Sequence, residues 1–112
     1  MIYIIEDDEN IRNLVQVALN GSGYETAAFE TAEEALGAFK VKAPQLAIFD
    51  LMLPGMDGLA LSKWVHERFP RTVILLLTCH ASFSYAQSAI RYGVMDYLLK
   101  PVIKTDLEQC VQ

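Results

Sequence analysis

Apolar runs in this chain repeatedly stop on a polar side chain that can do chemistry. Ile2–Ile5 stops at Glu6-Asp7-Asp8, Leu46–Phe49 at Asp50, Val73–Leu77 at Thr78, and Met95–Leu99 at Lys100-Pro101. Carboxylates gathered within a few ångströms repel one another, and the crowding is tolerated when a hard divalent cation sits between them. Oxygen donors with no histidine or thiol among them select Mg²⁺, or a similar ion such as Mn²⁺, which keeps several waters and takes phosphate as a co-ligand. A carboxylate can also attack phosphorus and form a mixed anhydride. The charge on a transferring phosphoryl group then needs cations and donors, which the metal, Lys100 and the Thr78 hydroxyl can supply. Each residue alone has a plainer explanation. Acids before a helix cap it or meet its dipole, Asp50 can open a turn, Thr78 can be an ordinary strand residue, and Lys100 can be solvated. All the plain readings would have to coincide on successive strand ends.

Positioning such groups falls to the elements between them. Ile11, Leu14, Val15, Ala18 and Leu19 recur with helical spacing and predict one buried helix face, closed by Gly21 and Gly23. Tyr24–Ala28 predicts a short strand. Thr31 and Glu34 form a capping box ahead of a helix with Ala32, Ala35, Leu36 and Phe39 on one side, ending before Pro44. Pro54–Gly58 predicts a turn that releases a helix carrying Leu61, Trp64, Val65 and Phe69, stopped by Pro70. A further helix is predicted over Ser82–Tyr92, with Phe83, Ala86 and Ile90 inward. After Lys100-Pro101 a last helix begins, with Leu107, Cys110 and Val111 inward, and is cut short at Gln112.

Five strand–helix units with near-continuous apolar strands and no hairpin signal predict an α/β fold, a (βα)5 doubly wound parallel five-stranded sheet with helices on both faces. With strand order 2-1-3-4-5, the strands ending at Glu6, Asp50, Thr78 and Lys100 are neighbours. Their polar groups then converge where ligands bind in such sheets, beyond the carboxyl ends of the strands. Residues 1–112 hold no linker, repeat or low-complexity stretch, so one domain is expected.

Composition narrows the function further. Fourteen acidic against nine basic side chains leave a formal charge of −5, which argues against gripping nucleic acid or an anionic membrane. Apolar stretches are too short to span a bilayer, and acids follow the first of them at once, unlike a signal peptide. Cys79 and Cys110 match no metal or CxxC spacing and are read as reduced thiols of a cytoplasmic protein.

The set Ile4-Ile5-Glu6-Asp7-Asp8, Phe49–Gly58 with its Asp50 and Pro54-Gly55, Leu77-Thr78, and Asp96-Tyr97-Leu98-Leu99-Lys100-Pro101 closely resembles the bacterial two-component response-regulator receiver domain. The resemblance covers almost the whole chain. It implies that Asp50 accepts a phosphoryl group from the phosphohistidine of a sensor histidine kinase, with Glu6 and Asp7 holding Mg²⁺ together with Asp50 and the Met52 backbone carbonyl. It further implies that Thr78 swings toward the phosphoryl group, that the inward or outward position of Tyr97 reports the switch, that Lys100 pairs with Asp50 or its phosphate, and that the Lys100–Pro101 bond is cis. Asp8 is read as a helix-start residue, separate from the ligands.

Some positions depart from the pattern or modulate it. Cys79 stands where the family carries a very small residue; it could narrow access to Asp50, which equal phosphorylation rates in Cys79→Ala and the parent would disprove, or pack sideways. Met52 and His80 flank the site where residues tune phosphate lifetime. His66 is expected to be solvated and Trp64 to pack in the core. Tyr85, Ser88 and Tyr92 form a stripe that is either ordinary amphipathic surface or part of a partner or homodimer surface reshaped on activation, as the fourth helix and last strand serve in the family.

Rival functions are a haloacid-dehalogenase-type phosphatase, which wants an Asp where Met52 stands, and a pseudo-receiver that is never phosphorylated. The chain is expected to be the N-terminal part of a longer regulator with a DNA-binding output. The first half resembles regulators with winged-helix outputs, and Leu61–Pro101 resembles those with arabinose-regulator-type helix-turn-helix outputs.

Overall fold

The computed structural model describes residues 1–50, 52–53, 56–78 and 94–99, with side chains placed for 1–50 and 58–77. Strand β1 (Ile2–Ile5) leads into helix α1 (Glu9–Gly21), then β2 (Thr26–Phe29), α2 (Ala32–Val41) and β3 (Leu46–Asp50). Two short strands, β4 (Met52–Leu53) and β5 (Met56–Asp57), precede α3 (Gly58–Arg68), β6 (Val73–Thr78) and β7 (Val94–Leu99). The main sheet is parallel throughout, ordered β2-β1-β3-β6-β7. Setting aside the two short strands, this is the expected 2-1-3-4-5 order.

Chain direction across the sheet reverses at β1. The connection through α1 steps outward to β2, whereas those through α2 and α3 step back past β1 to β3 and β6. Parallel crossovers are right-handed, so the reversal must put α1 on one face and the other two helices on the opposite face. The core divides accordingly. Ile2, Ile4, Leu46, Ile48, Leu75 and Leu77 pack with Val15, Ala18 and Leu19 of α1. The alternate residues Tyr3, Ile5, Ala47, Phe49, Ile74 and Leu76 pack with Ala32, Ala35 and Phe39 of α2 and with Leu61 and Val65 of α3. Strands buried on both faces explain why their sequences are continuously apolar.

Helix ends follow local chemistry. Asp8 Oδ1 accepts from the Asn10 and Ile11 amides at 2.9 and 3.2 Å, capping α1. Thr31 Oγ1 accepts from the Glu34 amide at 3.3 Å, as the capping sequence predicted. Past α1, Gly23 turns the chain at φ 92°, and the Tyr24 amide returns to the Leu19 carbonyl at 3.1 Å.

Several expectations are corrected. Leu14 is 43% exposed, because it lies about a quarter-turn from the centre of the Val15, Ala18 and Leu19 line that meets the sheet. Strand β2 starts at Thr26, since Tyr24 is committed to the helix end. Phe69 falls just after α3, yet packs on the core beside Trp64 and Phe39, with ring centroids 5.7 and 5.5 Å away. The predicted Pro54–Gly58 turn is overlapped by a two-strand antiparallel ladder, Met52 with Asp57 and Leu53 with Met56, in a region predicted without any hairpin, and Gly58 already belongs to α3. The Ser82–Tyr92 helix and the last helix lie outside the described residues.

Candidate functional site

Register assembles the site. Ile5 pairs with Phe49 across β1 and β3, so Glu6 and Asp50 leave the sheet side by side at its carboxyl edge. Asp50 pairs with Leu77, which sets Thr78 one step beyond it, and Thr78 pairs with Leu99, the residue before Lys100. Tyr97 pairs with Leu76 in the same sheet. The edge carrying these residues adjoins the reversal of strand order, where α/β sheets open a crevice.

Side chains complete the arrangement for three of the expected ligands. Carboxylate oxygens of Glu6, Asp7 and Asp50 all lie within 4.8 Å of one another. Glu6 is fully buried and Asp50 nearly so, while Asp7 is exposed. A trio of that kind leaves an open side on Asp7 and a dry, fixed wall on Glu6. The Glu6 amide still bonds the Phe29 carbonyl at 3.1 Å, continuing the β1–β2 ladder, and Glu6 Oε1 accepts from the Asp8 amide at 3.1 Å. Asp8 itself turns away to cap α1, as expected, and is no member of the trio.

The donor set fits a hard cation. It is built from oxygen alone, its anionic groups are close enough to share one ion, and one of them faces water, which Mg²⁺ retains in its shell. Backbone placement puts Met52 two residues past Asp50 on β4 and Thr78 at the end of β6. The side chains of Met52, Thr78 and Tyr97, and Cys79, His80, Lys100 and Pro101 entirely, lie outside the described residues.

Other polar residues resolve into structural roles. Trp64 packs against Phe39 at 6.1 Å with the Arg68 guanidinium 4.9 Å over its ring, and His66 is exposed on α3, both as expected. Sequence reasoning passed over Arg12, whose Nη1 donates to the Glu6 carbonyl at 2.9 Å. Its signal was available: a long cation one helical turn beyond an acidic run reaches back over that run, because helix side chains lean toward the N-terminus.

The family model for the response regulator receiver domain matches residues 2–112. The DNA-binding transcriptional regulator NtrC of Klebsiella pneumoniae is 38% identical over 97% of this chain and 23% of its own length. Its Salmonella typhimurium counterpart is 36% identical over 99% of this chain and 23% of its own length. Among solved structures, the receiver domain of NtrX from Brucella abortus superposes with a TM-score of 0.94 at 33% identity, covering 99% of this chain and 94% of that one. This chain belongs to the response regulator receiver domain family, the phosphoaccepting modules of two-component signalling. It spans about a quarter of the length of the curated relatives it matches. No described helix is long and apolar enough to cross a membrane.

Proposed function

We propose that Asp50 is the phosphoacceptor of a two-component regulator and that Glu6 and Asp7 join it in holding Mg²⁺. The observation that carries this reading is the trio of carboxylates within 4.8 Å at the carboxyl edge of a parallel sheet. An Asp50 carboxylate oxygen attacks the phosphorus of a phosphohistidine on a sensor histidine kinase. The new O–P bond forms as the P–N bond breaks, and the electron pair stays on the departing imidazole nitrogen. When bound, Mg²⁺ supplies positive charge to the carboxylates and to the phosphoryl oxygens. Glu6, which is buried, and Asp7, which is exposed, would hold the ion together with Asp50, and the Met52 backbone carbonyl would join them.

Beyond Asp50, the Thr78 hydroxyl and the Lys100 ammonium stabilise the phosphoryl charge. Tyr97 follows Thr78, so a local charge biases a two-state surface. Cys79 and His80 modulate access and lifetime. The domain assists its own phosphotransfer and dephosphorylation and is otherwise a switch, not an enzyme acting on other substrates. Likeness to the NtrC regulators supports a cytoplasmic protein that forms the receiver part of a longer, DNA-binding transcription regulator. It favours an NtrC-type output over the two output types weighed from the sequence. The fourth helix and last strand are the proposed homodimer surface.

Intact mass after incubation with acetyl phosphate and Mg²⁺ tests the reading. A labile phosphoryl adduct is expected, lost in Asp50→Asn and in EDTA. No adduct in the parent, and no response to beryllofluoride, would point to a pseudo-receiver instead.

A further inference from the structure

We propose that Arg12 is a positioning residue for the acidic pair: from one turn inside α1, its guanidinium fixes the backbone of Glu6 and Asp7 so that both carboxylates face Asp50. The inference rests on the metal reading given above.

Sheet pairing ends where the acids begin. The Glu6 amide makes the last ladder bond, to the Phe29 carbonyl at 3.1 Å, and the chain then bends toward α1. Past that point the Glu6 and Asp7 carbonyls have left the ladder. Arg12 Nη1 donates to the Glu6 carbonyl at 2.9 Å, with a longer contact of 3.5 Å to the Asp7 carbonyl. A bond from a guanidinium is charge-assisted and stronger than the neutral amide bond it stands in for.

Arg12 is itself tied to the start of the helix. Its amide donates to the Asp8 carbonyl at 2.9 Å, the Asp8 amide donates to Glu6 Oε1 at 3.1 Å, and Asp8 Oδ1 caps the Asn10 and Ile11 amides. Strand end, acidic pair and helix start thus close into one bonded unit. Backbone freedom removed before the cation arrives is freedom the cation need not remove on binding.

A bare surface cation would act with the opposite sign. Positive charge beside a cation site repels the ion, so deleting it by itself would tighten binding. Positioning predicts weakening, and the two readings separate on the direction of change.

Isothermal titration of Mg²⁺ into the chain decides between them, using the parent, Arg12→Gln, Arg12→Lys and Glu6→Gln. Loss of a group that orients metal ligands costs about tenfold or more in affinity, and that weakening is expected for Arg12→Gln. Lysine keeps the charge but loses the planar fork, so Arg12→Lys should fall between parent and Arg12→Gln, and it carries the test should Arg12→Gln fail to fold. In acetyl phosphate labelling, the Mg²⁺ concentration for half-maximal rate should rise to match, while the rate at saturating Mg²⁺ stays within about twofold of the parent. Unchanged or tighter Mg²⁺ binding in either arginine variant overturns the inference. A parent that binds no Mg²⁺, or a Glu6→Gln variant that binds it equally well, overturns the metal reading and this inference with it.

Discussion

Replacing Asp50 by Asn should make the metal-free domain more stable while destroying its chemistry. Carboxylate oxygens of Glu6 and Asp50 lie within 4.8 Å in a nearly dry setting, so two ionised groups there repel by about 1 kcal/mol at water-like screening and about 3.5 kcal/mol at an effective dielectric near 20. Burial of both groups places the true value toward the upper figure. The amide keeps an acceptor oxygen but gives up the charge that Asp50 offers its own partners, the proposed Lys100 among them, an offset of about 1.5–2 kcal/mol. A net gain of about 1–2 kcal/mol follows, which raises Tm by roughly 4–8 °C per kcal/mol in a domain of this size. Urea unfolding in EDTA measures the gain directly, with an unchanged m-value as the check that only stability has moved. Mg²⁺ at about a hundred times its Kd should then stabilise the parent by about 2.7 kcal/mol and the variant by much less. Lower stability of Asp50→Asn in EDTA, or an equal Mg²⁺ gain in both proteins, would refute the reasoning.

Two further substitutions test how the site is held. Asp8→Ala removes the α1 cap and should cost about 1 kcal/mol in urea unfolding; a variant as stable as the parent would show that the cap is replaceable. Phe39→Ala empties a fully buried position where Tyr3, Trp64 and Phe69 meet, and a loss of about 3–5 kcal/mol is expected. That is a large share of the stability of a small domain, so partial unfolding by circular dichroism at moderate temperature should accompany it.

Legibility of the fold came from strand burial. Ile2–Ile5, Leu46–Phe49 and Ile74–Leu77 are apolar without alternation because both of their faces are covered, as in a parallel sheet flanked by helices. Caps were equally plain, since Asp8 and Thr31 act on amides two or three residues away. Less legible was anything set by a neighbour distant in sequence. Leu14 has the spacing of a buried residue, yet how wide a helix stripe is covered depends on what packs opposite. Tyr3 reads as one more apolar strand residue, but its hydroxyl donates to the Lys42 and Ala38 carbonyls and so anchors the end of α2. The ladder of Met52–Leu53 with Met56–Asp57 hides in residues whose turn signal dominates.

The candidate site divides in the same way. The amino-acid sequence by itself determined which groups are available, because each apolar run must end where the chain leaves the sheet, and Glu6, Asp7, Asp50 and Thr78 stand at those exits. It also determined that Asp8 would serve the helix, through a bond made within a single turn. Only the tertiary structure decided that Glu6 and Asp50 share a site, since that depends on β3 pairing with β1 in the register that aligns Ile5 with Phe49. A slip of one residue would turn the side chains of β3 to the opposite face and separate the carboxylates. Register of that kind is chosen by the whole core at once, through Phe49 packing on the α2 and α3 side and Ile48 on the α1 side, and no local stretch of sequence carries it.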